Sequence, residues 1–337
     1  MQDIKVMFSL IIPVYNVDNY LRRCLDSCLN QDYDMYEIIC IDDGSTDNSG
    51  FILDEYHRRF MNIVKVIHTE NHGVSEARNC GIKHAKGQYC WFIDPDDIIE
   101  KNLLKDIVSL IQHKDLVLLS YKEQKENGGQ IRQKSWPSPN DFEQKDFTKY
   151  ATNHQFDKVW NYVVRKEILL DNKLYFGKHI VVGEDKAFDF FLSQYINNWT
   201  IYDKPSYTYM IQEHSASKGH NINDKYRKRM IENSYWTALF YKMNSGKCKN
   251  EQFADMALQQ QYANIRSVIN NTVKYGDREY LADVLNRLKN NNMYPNPIRL
   301  KDFKRNLHKY ILSIMFNVPV IAKTSCYFYV IKKRLKT

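Results

Sequence analysis

The sequence predicts an α/β fold. A mostly parallel sheet carries helices on both faces, and a helical C-terminal region follows. Three observations carry this. Short β-branched runs alternate with amphipathic helical stretches from Phe8 to Tyr121. Two of those runs end in crowded carboxylates, Asp42-Asp43 and Asp94-Pro95-Asp96-Asp97. After about Asn221 the pattern changes to long helical stretches.

Taken in order, Phe8–Ile12 reads as a strand and Asp18–Asn30 as a helix with Leu21, Cys24, Leu25, Cys28 and Leu29 on one face. Glu37–Ile41 is a strand. Ser49–Arg59 is a helix after a Gly/Ser/Thr/Asp turn, and Ile63–Ile67 a strand. Ser75–Ala85 is a helix stopped by Gly87. Gln88–Ile93, Lys101–Gln112 and Leu116–Tyr121 continue as strand, helix and strand. This βαβ order implies parallel strands covered on both sides. Asn127-Gly128-Gly129 signals a hairpin or loop. Val159–Val164 reads as a strand, Glu184–Ser193 as a helix, and Trp199–Tyr209 contains a further strand. Helices are expected near Asp224–Lys242, Gln252–Val273 and Arg278–Lys289, which divides the chain into residues 1–220 and a helical region, 221–337.

Charge is unevenly placed. Of 48 Lys/Arg, ten lie from Arg299 onward against one acid, Asp302, so the rest of the chain is within one charge of neutral. That argues against a nucleic-acid groove and for a basic tail at an anionic membrane surface. Within the tail, Tyr310–Val320 is apolar, Tyr327–Ile331 follows, and Lys332-Lys333-Arg334 closes, as in a surface-lying amphipathic segment; a helix packed on the body is the alternative. Seven cysteines without a CxxC pair fit a reduced, cytoplasmic compartment, peripheral to the inner face of the membrane if the tail binds there. The 24 tyrosines suit core packing, or stacking on sugars.

Carboxylates crowded at a strand end raise one another's pKa. Ligands of open α/β sheets bind at the carboxyl ends of strands. The two acidic clusters therefore read as a polar-ligand site with a hard divalent cation. Pro13-Val14-Tyr15-Asn16 stands where a dinucleotide fold would carry GxGxxG. A glycine-rich pyrophosphate turn, and the basic loop of a sugar nucleotidyltransferase, are both absent there. Tyr15 is placed to stack on a base and Asp43 to accept from a uracil N–H. Asp42 is read as orienting Asp43 or the Ser45 turn, and Trp160 as acceptor-lining or core.

Pro13-Val14-Tyr15-Asn16, Asp42-Asp43-Gly44-Ser45-Thr46-Asp47, Asn71-His72-Gly73 with Ala77-Arg78-Asn79, Asp94-Pro95-Asp96-Asp97, Trp160-Asn161 and Glu184-Asp185 with Phe188 together resemble the family 2 glycosyltransferases, over roughly Phe8–Ser217. The resemblance implies a GT-A, Rossmann-like nucleotide-sugar fold. It implies inverting transfer of a hexosyl or N-acetylhexosaminyl group from a nucleotide sugar, usually a UDP-sugar. The acceptor would be a glycan or lipid-linked oligosaccharide in surface polysaccharide (capsule-type) synthesis. It implies that Pro13, Val14, Tyr15, Asn16, Asp43, Asn71, Arg78, Asp94 and Asp97 hold the donor, with Arg78 near the nucleotide. Asp96 and Asp94 would hold Mg²⁺ or Mn²⁺ on the diphosphate. The base falls in Glu184-Asp185, with Asp185 favoured and Glu184 the alternative; a helix starting there would lend its N-terminal dipole and lower that carboxyl's pKa. Relatives often carry Arg where Met210 stands; His214 or Lys218 would substitute. A non-catalytic nucleotide-sugar or glycan-binding module is the alternative function.

Overall fold

The structure is a computed structural model that describes residues 6–126, 132–141, 145–211, 223–275, 277–294 and 322. The Asn127-Gly128-Gly129 turn, the segment with His214 and Lys218, and, apart from Ala322, the tail from Arg299 lie outside the described residues. The chain divides into two compact units, Met1–Ser215 and Ala216–Thr337.

The first unit opens with β1 (Phe8–Val14), α1 (Asp18–Leu29), β2 (Tyr36–Asp43), α2 (Ser49–Arg59), β3 (Val64–Thr69), α3 (Val74–His84) and β4 (Tyr89–Phe92). These strands pair in parallel in the order β3-β2-β1-β4. β1 and β2 are buried along their whole length, which explains their near-continuous apolar runs. The order reverses at β1: β2 and β3 lie to one side of it and β4 to the other. A crevice opens outside the strand ends at such a reversal. Pro13 costs the sheet nothing there. Ile11 accepts from the Ile93 N–H on the β4 side, so the position of Pro13 faces that side too, where β4 has already ended.

The rest of the sheet mixes directions. After β5 (Ile98–Ile99) and α4 (Leu103–Ile111) come β6 (Leu116–Lys125), β7 (Arg132–Lys134), α5 (Phe147–Asn153), β8 (Tyr162–Arg165), α6 (Lys166–Asp171), α7 (Glu184–Ser193) and β9 (Trp199–Ile211). β8 is antiparallel to both β4 and β6, and β9 runs parallel to β6. Leu119 pairs with Tyr202 and Tyr121 with Tyr207, so residues 203–206 bulge opposite Ser120. Pro205, which has no N–H to give a ladder, sits in that bulge. Val159–Asn161, expected as strand, is a 3₁₀ turn that leads into β8.

The second unit comprises α8 (Asp224–Asn244), α9 (Glu251–Tyr275) and α10 (Arg278–Asn290). Asn223 and Asp277 cap α8 and α10 by accepting from Tyr226 and Tyr280 N–H groups. Ile231, Tyr235, Ala238, Ile265, Ile269, Leu281 and Leu285 form its core. Arg287 grips both oxygens of Glu232 at 2.8 Å. No helix among the described residues is long and apolar enough to cross a membrane.

Candidate functional site

The crevice is built from four loops. Residues Tyr15 and Asn16 follow β1, Gly44–Asn48 follow β2, Asn71–Gly73 follow β3, and Asp94–Asp97 follow β4. Pro13 and Val14 are buried in β1, so only the strand's backbone end borders the crevice; Tyr15, 48% exposed, is free to present its ring. Asn16 adopts a left-handed φ of 51°, and its Oδ1 accepts from the N–H groups of Thr46 and Asp47. That side chain joins the first loop to the second.

Asp42 and Asp43 are almost wholly engaged by the fold. Asp42 accepts from Ser45 N–H at 3.0 Å and meets His68 Nδ1 at 2.8 Å. Asp43 takes the His72 and Gly73 N–H groups, one on each carboxylate oxygen, at 2.8 and 2.7 Å. Between them the loops pass so closely that a Cβ on Gly44 would stand 2.8 Å from Asn71 N, and its φ is +71°. Only glycine satisfies both conditions. Asn71 itself is exposed at the rim.

The β4 loop is different. Its backbone is pinned from several directions: Arg23 donates to Asp96 O, Cys24 Sγ to Asp94 O, and Asp94 N–H donates to the Tyr207 hydroxyl. Asp97 is fully buried, accepting from Tyr207 O–H at 2.6 Å and from Met210 N–H at 2.8 Å. Both of its oxygens face inward, so it holds the loop to β9 and does not border the crevice. Burial, with the charges of Asp94 and Asp96, pushes its carboxyl well above the usual range. Asp96, at the crevice side, is pushed up to about 6 by burial and by Asp94.

α7 brings the remaining acids across. Gly183 precedes it in a left-handed conformation (φ 77°) and turns the chain into the helix. Arg78 of α3, only 3% exposed, reaches between the two groups: Asp185 at 2.7 Å, Asp94 at 3.0 Å and Glu184 at 3.2 Å. Its guanidinium also lies 5.3 Å over the Phe176 ring. The resemblance implied that Arg78 lies beside the nucleotide. In the structure it ties three site carboxylates together. Burial draws its pKa down, but the three anions more than compensate and hold it above the ordinary value.

One guanidinium cannot satisfy three carboxylates equally. Asp185 is pushed up to about 7: burial raises it, Arg78 opposes, and Glu184 and Asp94 raise it further. The helix dipole was expected to lower this carboxyl. The helix does start at Glu184, yet desolvation and two like charges outweigh a dipole effect worth about 1 kcal/mol. One turn on, the fully buried Asp189 accepts from Tyr162 O–H at 2.6 Å and is likewise raised, by burial and then by Asp185. Sequence reading missed Asp189, Arg23 and the Asp97–Tyr207 clamp. Asp189 carried a weak signal, an acid inside an apolar helical face; the partners of Arg23 and Cys24 are backbone atoms some 70 residues away. Trp160, weighed as acceptor-lining or core, is core: it is 3% exposed and stacks flat against Tyr207 and Tyr209.

Among the described residues no three acids, histidines or cysteines are arranged to enclose a cation by themselves. Asp94 and Asp96 nonetheless fit the donor set of Mg²⁺ or Mn²⁺. Burial and the charge of Asp94 push the Asp96 carboxyl up, a repulsion that a cation would relieve, and such ions take one or two carboxylates with substrate phosphates completing the shell.

The model of the family described as Glycosyl transferase family 2 matches residues 9–170. Residues 9–170 form a family 2 glycosyltransferase domain. The matched segment contains every loop acid but stops before Glu184, Asp185 and Tyr207. The chain is 32% identical over 234 residues to a putative glycosyltransferase of Bacillus subtilis, EpsH, covering 66% of this chain and 64% of that protein. It is 40% identical over 126 residues to the glycosyltransferase GlyG of Streptococcus pneumoniae, covering 36% of this chain and 42% of that one. It thus spans about half the length of the curated relatives it matches. The crystal structure of Staphylococcus aureus TarS superposes with a TM-score of 0.61 at 19% identity, over 95% of this chain and 55% of that one. A shorter form of TarS, residues 1–349 in complex with UDP-GlcNAc, gives 0.54 at 20% identity, over 98% and 93%. The shared fold is GT-A.

Proposed function

We propose that this chain is an inverting, metal-dependent glycosyltransferase. It would take a hexosyl or N-acetylhexosaminyl group from a UDP-sugar and pass it to a glycan or lipid-linked oligosaccharide during synthesis of a cell-surface polysaccharide. The single observation that carries the reading is the Arg78 hub, which sets Asp185, with a pKa near 7, across from the Asp94–Asp97 loop. A general base works best when its pKa lies near the operating pH. Support for the donor comes from the relatives: TarS has been crystallised with UDP and with UDP-GlcNAc. Poly(ribitol-phosphate) β-glucosyltransferase and TarS, a poly(ribitol-phosphate) β-N-acetylglucosaminyltransferase, are among the similar proteins.

In this reading Tyr15 stacks on the uracil and the Asp43-braced loops bound the nucleotide. Asn71 borders the donor at the rim. Asp94 and Asp96 hold Mg²⁺ or Mn²⁺, which when bound offsets the negative charge growing on the diphosphate. Asp185 accepts the acceptor hydroxyl's proton as that oxygen attacks the anomeric carbon from the face opposite the diphosphate, which inverts the centre. Glu184 keeps the carboxyl of Asp185 basic enough for that task. Residues 1–220 form the catalytic domain and 221–337 a helical appendage whose basic tail meets an anionic membrane. Loss of the tail from Arg299 onward should weaken binding to anionic vesicles; unchanged binding sinks that part.

The deciding experiment is UDP binding by calorimetry with and without Mn²⁺, beside Asp96→Ala. Metal-dependent binding that the variant loses is expected, followed by turnover of a UDP-sugar. Binding without any turnover across UDP-sugars would favour a non-catalytic module; no UDP binding in either condition overturns the donor assignment.

A further inference from the structure

We infer that the catalytic unit carries a second carbohydrate site, remote from the acids, that takes a neutral oligosaccharide. The choice of ligand rests on the glycosyl-transfer reading; the site's geometry does not. A cavity of about 740 Å³ opens between α4, the first half of β9 and the segment that carries Trp136 and Ser138. Ligand-binding cavities generally measure about 300 to 1,000 Å³. β8 is antiparallel to both β4 and β6, so β6, and β9 beside it, run in the direction of β4. The acids sit at the carboxyl end of β4. Trp199–Tyr202, at the amino end of β9, therefore lie at the other end of the sheet.

The lining has the chemistry of a sugar site. Trp136 is half-buried and held in place: its Nε1–H donates to Leu119 O at 3.0 Å, and the Tyr150 and Phe156 rings lie 6.0 and 6.4 Å away. A fixed indole offers a flat apolar face without further ordering cost, which suits the C–H face of a pyranose. Polar groups surround it. Tyr202 donates to Asp106 at 2.5 Å, and Lys204 pairs with the same carboxylate at 3.6 Å, so that part of the wall is internally neutralised. Lys105, Ser138 and Asp203 are exposed and have no hydrogen-bond partner among the described residues. They leave donors and acceptors at the rim with no net charge. A nucleotide or a phosphate-bearing polymer would require a basic lining. A neutral chain of sugar rings requires an apolar platform flanked by uncommitted hydrogen-bonding groups. Such a site would hold a glycan at a distance from the acids and raise its effective concentration near them.

The test uses the full chain, with cellotetraose, maltotetraose and chitotetraose as probes. Binding is followed by calorimetry and tryptophan fluorescence, with UDP binding measured in parallel. At least one probe should bind, Trp136→Ala should weaken it about tenfold or more, as for a lost aromatic anchor, and Trp136→Phe should retain most of it. Asp203→Ala, on an exposed position that does not threaten folding, should weaken it severalfold with UDP binding unchanged. The inference is overturned if no probe binds at roughly 10 mM, a ceiling near the weakest affinities of interest, or if binding survives both Trp136→Ala and Asp203→Ala. Loss of UDP binding with the probes still bound would count against the donor assignment alone.

Discussion

Two acidic clusters stand at neighbouring strand ends, and their environments differ. At the end of β2, Asp42 and Asp43 face donors: the N–H groups of Ser45, His72 and Gly73, and the ring of His68. At the end of β4, Asp97 turns inward to Tyr207 and Met210, whereas Asp94 shares the buried Arg78 with Glu184 and Asp185 of α7, and the charge of Asp94 helps raise Asp96. The backbone N–H groups of His72 and Gly73 on Asp43 brace one loop against the next. Carboxylates gathered around a single buried guanidinium are the ones to which the proposed function assigns proton transfer and cation binding. The difference lies in the donors, which arrive from loops distant in sequence.

The largest expected effect is on turnover. Asp185→Asn should cut kcat by about 10²–10⁴, the usual contribution of a general base, while UDP binding persists. A variant with near-normal kcat would move the chemistry to Glu184. Arg78→Met leaves three carboxylates without their shared cation and should cost about 3–5 kcal/mol of stability, read by chemical denaturation. A loss below 1 kcal/mol would mean that the hub is dispensable and the two clusters are alike after all.

The next effect is on pH. Asp185, pushed up to about 7, should give kcat/KM an acidic limb near that value. Glu184 raises Asp185, so Glu184→Gln should move the limb to lower pH. The same carboxyl binds a proton in the folded protein that the unfolded chain, titrating near 4, has already released. Its contribution therefore makes stability fall as pH rises from about 4 through 7. A limb that does not respond to Glu184→Gln would detach it from Asp185. At the other cluster, Asp43→Ala should lower stability by about 1.5–3 kcal/mol, since it strips two charge-assisted bonds from one loop. The smallest change is Tyr207→Phe, about 1 kcal/mol, with KM for the donor rising more than kcat falls because the Asp94–Asp97 loop loosens.

Much of this was legible in the sequence. Helix Ser49–Arg59 and helix Glu184–Ser193 were read with the bounds they have, and the three C-terminal helices within a few residues, because caps and periodicity are local. The short strands Ile98–Ile99 and Arg132–Lys134 and the helices at Phe147 and Lys166 were not read; each is too brief to show a period. The crevice acids were legible as crowded carboxylates. That Arg78 would join Asp94 to Asp185 was not, because sequence motifs show residue types and order but not which donor reaches which acceptor 107 positions away.

The clamp on Asp97 also bears on the timing of assembly. Tyr207 and Met210 leave the ribosome more than a hundred residues after the loop they hold. Domains form as units during synthesis at about 5–20 residues per second, so for several seconds the nascent chain has its loop acids but not the strand that fixes them. A chain released early, anywhere before β9, would expose a cluster of mutually repelling carboxylates with no clamp. The Asp97 clamp is thus completed only once β9 is made.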